Sequence, residues 1–143
     1  MIRFSDYMKE AVTLPSKSSS IGIARKDMPQ VDIEPVDDFL KYLKSNAVGY
    51  SKETVSPDTL SPTQHHFSVG KIEKIMYRIE NGTNKKKKIL ISKNNRVIDG
   101  HHAWIAHSNL GKKIDVIRID AKAKAVVNLM HDYPKSYTKK LHE

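Results

Sequence analysis

Hydrophobic positions along the chain follow two rhythms, one of three to four residues and one of two. Val36, Phe39, Leu40 and Leu43 fit the i, i+3, i+4, i+7 pattern of a helix face, which predicts a helix from Pro35 to about Asn46. Proline suits a first helical position, and Asp37 and Asp38 lie in the first turn, where the helix dipole favours acids. Ser68 is a natural cap for a second helix reaching about Asn81, with Val69, Ile72, Ile75, Met76 and Ile79 as its core face. Asn81-Gly82 ends it, since both residues tolerate the left-handed conformation. Ile89–Ser92 and Arg96–Ile98 read as strands of a hairpin turned at Asn94-Asn95. Asp99-Gly100 then breaks into a third helix, from about His101 to Leu110 and closed by Gly111. Residues 114–119 alternate as a half-buried strand. A last helix runs from about Ala121 to His131, before Pro134 stops it.

Other stretches are less regular. Phe4, Met8 and Ala11 share a face of a short helix over residues 4–12, and Pro15 to Ser20 reads as a flexible linker. Residues 1–20 are therefore expected as an appendage and 21–143 as the domain. Residues 21–34 look extended, with Pro29 disfavouring helix at Met28. Residues 46–67, with Gly49, Pro57 and Pro62, are expected as one long connection. The order is strand, helix, long loop, helix, hairpin, helix, strand, helix. That is an α+β pattern with a small mixed β-sheet packed with helices.

Composition narrows the function classes. At 143 residues, one core is the natural expectation, and 38% apolar with 29% charged residues is a globular balance. No run of apolar residues is long enough for a membrane span, and Met1–Asp6 lacks a signal-peptide stretch, so a cytoplasmic, membrane-free protein is expected. Cysteine is absent, which excludes disulfides, thiolate metal sites and a cysteine nucleophile. The net charge of +9 is unevenly spread: residues 1–81 hold 11 Lys/Arg against 11 Asp/Glu, and residues 82–143 hold 14 against 5. A one-sided excess suits a polyanionic partner, nucleic acid or nucleotide, as well as a solvated lysine-rich surface. Lys85, Lys86, Lys87 and Lys88 are the densest run, either a phosphate-backbone contact or a solvated lead-in to the strand. Lys122, Lys124, Lys135, Lys139 and Lys140 extend the basic character toward the C-terminus.

The segment richest in chemistry is Ile98-Asp99-Gly100-His101-His102-Ala103-Trp104. A strand ends, a glycine turns, and a helix opens with polar groups at its mouth, where free N–H groups and the dipole attract anions. Imidazole can donate to phosphate, serve as a general base or ligate a metal, and Asp99 could hold a divalent ion or orient a histidine. The plainer alternative makes Asp99 a helix cap and the histidines surface residues. Trp104 is expected in the core and His107 on the surface. On the long connection, Gln64 is a candidate substrate contact, whereas His65 and His66 fit an exposed polar loop.

These residues resemble the ParB/sulfiredoxin superfamily, and most closely the phage and plasmid ParB-like nuclease-domain proteins, which carry an Asp-Gly-His-His-Arg-Trp signature. Leu60-Ser61-Pro62-Thr63-Gln64, followed by a helix with Lys71-Ile72, is a second point of similarity. Arg25 to Gln30 resembles openings seen in phage members. The resemblance spans about residues 54–120. It implies a ParB/sulfiredoxin-like fold and the handling of phosphate at the turn before the helix. Asp99, His101 and His102 would be the reactive groups, Gly100 would admit a phosphate to the backbone, and Gln64 and Lys71 would bind substrate. The superfamily's activities include CTP-hydrolysing DNA clamps, sulfiredoxin, a serine kinase and proteins described as nucleases, and the fold does not choose among them.

Two departures matter. A sulfiredoxin-type cysteine is impossible here, and the family arginine that contacts phosphate corresponds to Ala103. Loss of that guanidinium removes bidentate phosphate binding. The activity is then lost, or another base such as Lys71 substitutes, or Ala103 is an engineered change in a toxic enzyme. The reading reached from sequence is a domain that binds nucleic acid or nucleotide, with phosphodiester cleavage, aided by Mg²⁺ or Mn²⁺, as its enzymatic form. A non-enzymatic binding module of a phage accessory type and a phosphoryl transferase are the alternatives.

Overall fold

The computed structural model describes residues 12–15, 20–24, 29–30, 36–84, 88–133 and 137–138. The expected helix over residues 4–12 falls outside these except for Val12, as do the linker residues 16–19, residues 25–28, Pro35, Lys85–Lys87, Lys135, Lys139 and Lys140.

The sheet is built from five strands: β2 (Tyr50–Val55), β3 (Ser61–Pro62), β4 (Ile89–Ser92), β5 (Arg96–Asp99) and β6 (Ile114–Ile119), in the order β2-β6-β4-β5-β3. β2 with β6 and β4 with β5 are antiparallel, whereas β6 with β4 and β5 with β3 are parallel, so the sheet is mixed. A separate antiparallel pair joins β1 (Pro29–Gln30) to β7 (Tyr137–Thr138). Four α-helices are described: α1 (Val36–Ser45), α2 (Val69–Glu80), α3 (His101–Asn109) and α4 (Ala123–Asp132).

Alternation along the central strands divides the core by face. Leu90, Ile98, Ile117 and Ile119 point to one side, where Phe39 and Leu43 of α1 and Val126 and Met130 of α4 cover them. Ile89, Ile91, Val97 and Val116 point to the other, under Ile72 and Met76 of α2 and Trp104 and Ile105 of α3. All four residues of β4 are buried, as expected of a central strand covered on both faces. Thus the α+β class and the small mixed sheet are as the pattern predicts. No helix among the described residues is long and apolar enough to cross a membrane.

Three expectations need correction. Residues 46–67 are not one long connection: they contain β2, a single 3-10 turn at Pro57–Thr59, and β3. β2 was hidden because Ser51, Lys52 and Thr54 leave both of its faces largely polar, which a strand at the edge of the five-stranded sheet tolerates. Val69 is not on the buried face of α2 but is 39% exposed, whereas Ile72 and Met76 of the same helix are buried. Asp99 is not the cap of α3, since Gly100 occupies that position and brings no side chain to it.

Candidate phosphate site at the mouths of two helices

Gly100 has φ 95° and ψ 28°, a left-handed conformation that glycine adopts without penalty. A Cβ built there would meet Ile89 Cγ1 at 3.0 Å and Ile89 Cα at 3.4 Å. The glycine is therefore required by its close approach to β4, independently of any ligand. The turn lets α3 start directly after β5, with Trp104 N–H donating to the Gly100 carbonyl at 2.9 Å.

The histidines that follow turn inward. Asp99 is 1% exposed, Gln64 2%, His101 3% and His102 8%. Both rings meet the segment 63–68. His102 Nε2 accepts the backbone N–H of Ser68 at 2.9 Å. His101 Nε2 accepts the backbone N–H of Thr63 at 3.1 Å and, more distantly, that of Gln64 at 3.5 Å. A ring nitrogen that accepts carries no proton, so the network assigns the proton of each neutral ring to Nδ1. Phe67 packs against both rings, at centroid distances of 6.0 Å and 6.1 Å.

The same segment closes on itself and on the sheet. Gln64 Nε2 donates to the His66 carbonyl at 2.7 Å. Thr63 Oγ1 donates to the Val97 carbonyl at 2.8 Å, and the Thr63 carbonyl accepts from Ile23 N–H at 3.2 Å. Thr63 is thus a hub that sequence reasoning passed over. Ser68 then caps α2 by accepting the Lys71 N–H at 3.3 Å, as its position predicts.

The first turns of α2 and α3 therefore meet at residues 63–68, with Ser68 N–H and His102 as the tie between them. Neither helix has an acid in its first turn. The structure brings together Gln64, His101 and His102, with Asp99 at the end of β5 and half-buried Lys71 on the first turn of α2. Ala103 is half-buried beside the α2/α3 core cluster, and its carbonyl accepts from His107 Nδ1 at 2.7 Å. Lys88 is not part of this group. It stands 3.9 Å from Asp37 of α1, on the opposite side of the sheet, and Lys85–Lys87 lie outside the described residues.

Trp104 is buried, and its Nε1 donates to the Pro57 carbonyl at 2.8 Å, which pins α3 to the 3-10 turn. The His65 and His66 rings lie in tilted contact, with centroids 4.0 Å apart and planes 52° apart, and His66 is exposed. Among the described residues no three His, Asp or Glu side chains are grouped so as to hold a metal ion. The donor set here does not fit a protein-built Mg²⁺ or Mn²⁺ site, because the imidazole Nε2 atoms already serve backbone N–H groups.

No protein-family profile matches the chain, and no curated protein matches it. Among solved structures it is similar to the C2221 form of a Pnob8-like ParB-N domain, at 17% identity and a TM-score of 0.48. The likeness covers 59% of this chain and spans 36% of the length of that one.

Proposed function

We propose that this chain is a ParB-type domain that binds the phosphate of nucleic acid or nucleotide where α2 and α3 begin. The observation that carries the reading is the meeting of two helix N-termini, with no acid in either first turn, at a glycine-led mouth. Each such terminus carries roughly half a positive charge, so two together favour an anion more than either alone, even with the Ser68 and Lys71 N–H groups already used by His102 and Ser68 Oγ. The basic excess of residues 82–143 adds a long-range attraction for polyanions.

The same geometry favours binding over cleavage. A general base must offer its lone pair to water, and the Nε2 lone pairs of His101 and His102 are already given to backbone N–H groups. Asp99, at 1% exposure, is shut from solvent. In this reading the histidines shape the mouth and the helix termini contact the phosphate.

Ala103 supplies the test. An arginine there would add a charge-assisted fork worth ~1.5–3 kcal/mol, which is roughly one to two orders of magnitude in affinity. Labelled duplex DNA and each of the four nucleoside triphosphates are titrated at several salt concentrations, for this chain and Ala103→Arg. The expected result is salt-sensitive binding that Ala103→Arg tightens by that factor. Plasmid cleavage and triphosphate hydrolysis are followed in parallel, with Mg²⁺ or Mn²⁺. Turnover that needs intact His101 would replace the binding reading with the nuclease or phosphoryl-transfer one. Absence of binding at low salt in both proteins would remove the phosphate site.

A further inference from the structure

The two histidines meet backbone N–H groups of segment 63–68 through Nε2 lone pairs that only a neutral ring possesses. Ser68 N–H to His102 Nε2, at 2.9 Å, is the tighter contact, and it anchors the residue that caps α2. His101 Nε2 faces two N–H groups, at 3.1 Å and 3.5 Å. Backbone N–H groups cannot change role, so the sign of each contact depends on the ring alone. A ring that takes one proton from solvent at Nε2 becomes an imidazolium, loses its lone pair and sets an N–H against an N–H. Both rings are more than nine-tenths buried, so neither replaces the lost bond with water without movement of the segment.

We propose that segment 63–68 is a proton-operated latch: neutral His102, seconded by His101, holds it shut against α3, and protonation releases it. The release has a chemical consequence at the mouth of the two helices. The freed rings turn from acceptors into donors and bring positive charge, so an anion is received better by the open form than by the closed one. This consequence rests on the phosphate-binding reading, whereas the latch itself does not.

The titratable groups nearest in the chain to these contacts are Asp99 at the end of β5, His65 and His66 on the segment, and Lys71 and Glu73 on α2; Arg96 of β5, Lys74, Tyr77, Arg78 and Glu80 of α2 and His107 of α3 lie further along the same elements. The carboxylates favour a charged ring; Lys71 and the other imidazoles oppose it. Thr63 Oγ1 lies 3.2 Å from His101 Nε2 and is able to accept from it once that nitrogen carries a proton. His101 is therefore the softer half of the latch, and at His102 the contact that a proton on Nε2 opposes is the Ser68 backbone N–H.

The experiment uses the full chain without ligand. Ring nitrogen shifts of His101 and His102 and hydrogen-exchange protection of the Ser68 and Thr63 amides are followed by NMR from pH ~8 to pH ~5, across the ordinary histidine range. The expected result is an Nδ1–H tautomer for both rings at the upper end. At the lower end Ser68 protection falls by about tenfold or more beyond the intrinsic pH effect, in step with protonation of His102, while amides of β4 and β6 keep theirs. His102→Gln supplies, at about the reach of Nε2, an amide oxygen that accepts and does not titrate, and it is expected to leave Ser68 protection flat with pH. His131→Ala, at an exposed position of α4 over the other face of the sheet, is expected to leave the fall unchanged. Should His102→Gln fail to fold, the tautomer and the pH profile of the unaltered chain decide alone. An Nε2–H tautomer for His102 at the upper end, or Ser68 protection that ignores its titration, overturns the latch. Phosphate titration of the same samples is read separately, so a protein that lacks anion binding can still show the latch, and the reverse.

Discussion

Replacing Gly100 with alanine perturbs the backbone and the packing at one atom. The residue sits at φ 95°, so an L side chain there costs ~1–2 kcal/mol from its conformation alone. The added Cβ would also stand 3.0 Å from Ile89 Cγ1 and 3.4 Å from Ile89 Cα. The first of these is tighter than ordinary contact and falls on a buried side chain of the central strand β4, which must give by a few tenths of an ångström, whereas the second is ordinary van der Waals contact. Overpacking of that kind costs a further ~1–3 kcal/mol. Against this, alanine restricts the unfolded chain and returns ~0.4–1 kcal/mol. Gly111 provides the internal reference: it too has positive φ, at 66°, but its Cβ would meet nothing within 4 Å. Gly111→Ala therefore reports the conformational cost by itself, and Gly100→Ala is expected to exceed it by ~1–3 kcal/mol. Urea unfolding monitored by far-UV circular dichroism measures both variants under one condition. Equal destabilisation of the two would refute the argument that Gly100 is required by the approach of β4, and would return it to a role set by ligand alone.

Other consequences are open to simpler tests. Trp104→Phe leaves the Pro57 carbonyl without the indole N–H that meets it at 2.8 Å, and should cost ~1–3 kcal/mol in the same unfolding assay. Asn109 holds residues 12–15 by accepting Thr13 N–H at 2.9 Å and donating to the Thr13 carbonyl at 3.0 Å. Asn109→Ala should release that segment, seen as faster Thr13 amide exchange, while global stability changes by only ~1 kcal/mol. Hydrogen bonds from Arg118 and then Ser51 hold the Glu53 carboxyl below its usual range. Because the folded value is the lower one, the contribution is complete above the ordinary carboxylate range and fades as pH falls through the lowered value. At 35% side-chain exposure it should be small, and Arg118→Met should flatten that part of the stability–pH curve.

The parts of the fold legible in the sequence are those whose local pattern and burial agree. β4 is a run of apolar residues ending in Ser92, and it is buried throughout. The helix α1 carries Phe39, Leu40 and Leu43 on one face, and that face is the buried one. β2 was not legible, because an edge strand needs only intermittent apolar residues and its pairing partner β6 is some sixty residues away. The candidate site divides in the same way. Asp99, Gly100, His101 and His102 stood out as polar residues at a strand-to-helix turn, and they do stand there. Their hydrogen-bonding sense was not legible, because it depends on N–H groups of Thr63 and Ser68, 34 to 38 residues upstream. Nothing local marks Thr63 as a hub, since its partners Ile23, Val97 and His101 come from three separate elements.

The central claim is that phosphate is bound where α2 and α3 begin, and mapping on the full chain tests it most directly. Backbone amide shifts are recorded by NMR while inorganic phosphate, a nucleoside triphosphate and a short DNA duplex are added in turn at low salt, and the titrations are repeated at higher salt. The account predicts saturable shifts centred on Gly100–Ala103 and Ser68–Lys71, shared by all three ligands and weakened by salt, most steeply for the duplex. Shifts confined to other faces of the sheet, such as the surroundings of Lys88 and α1, or no saturable shifts at either helix start, would contradict it.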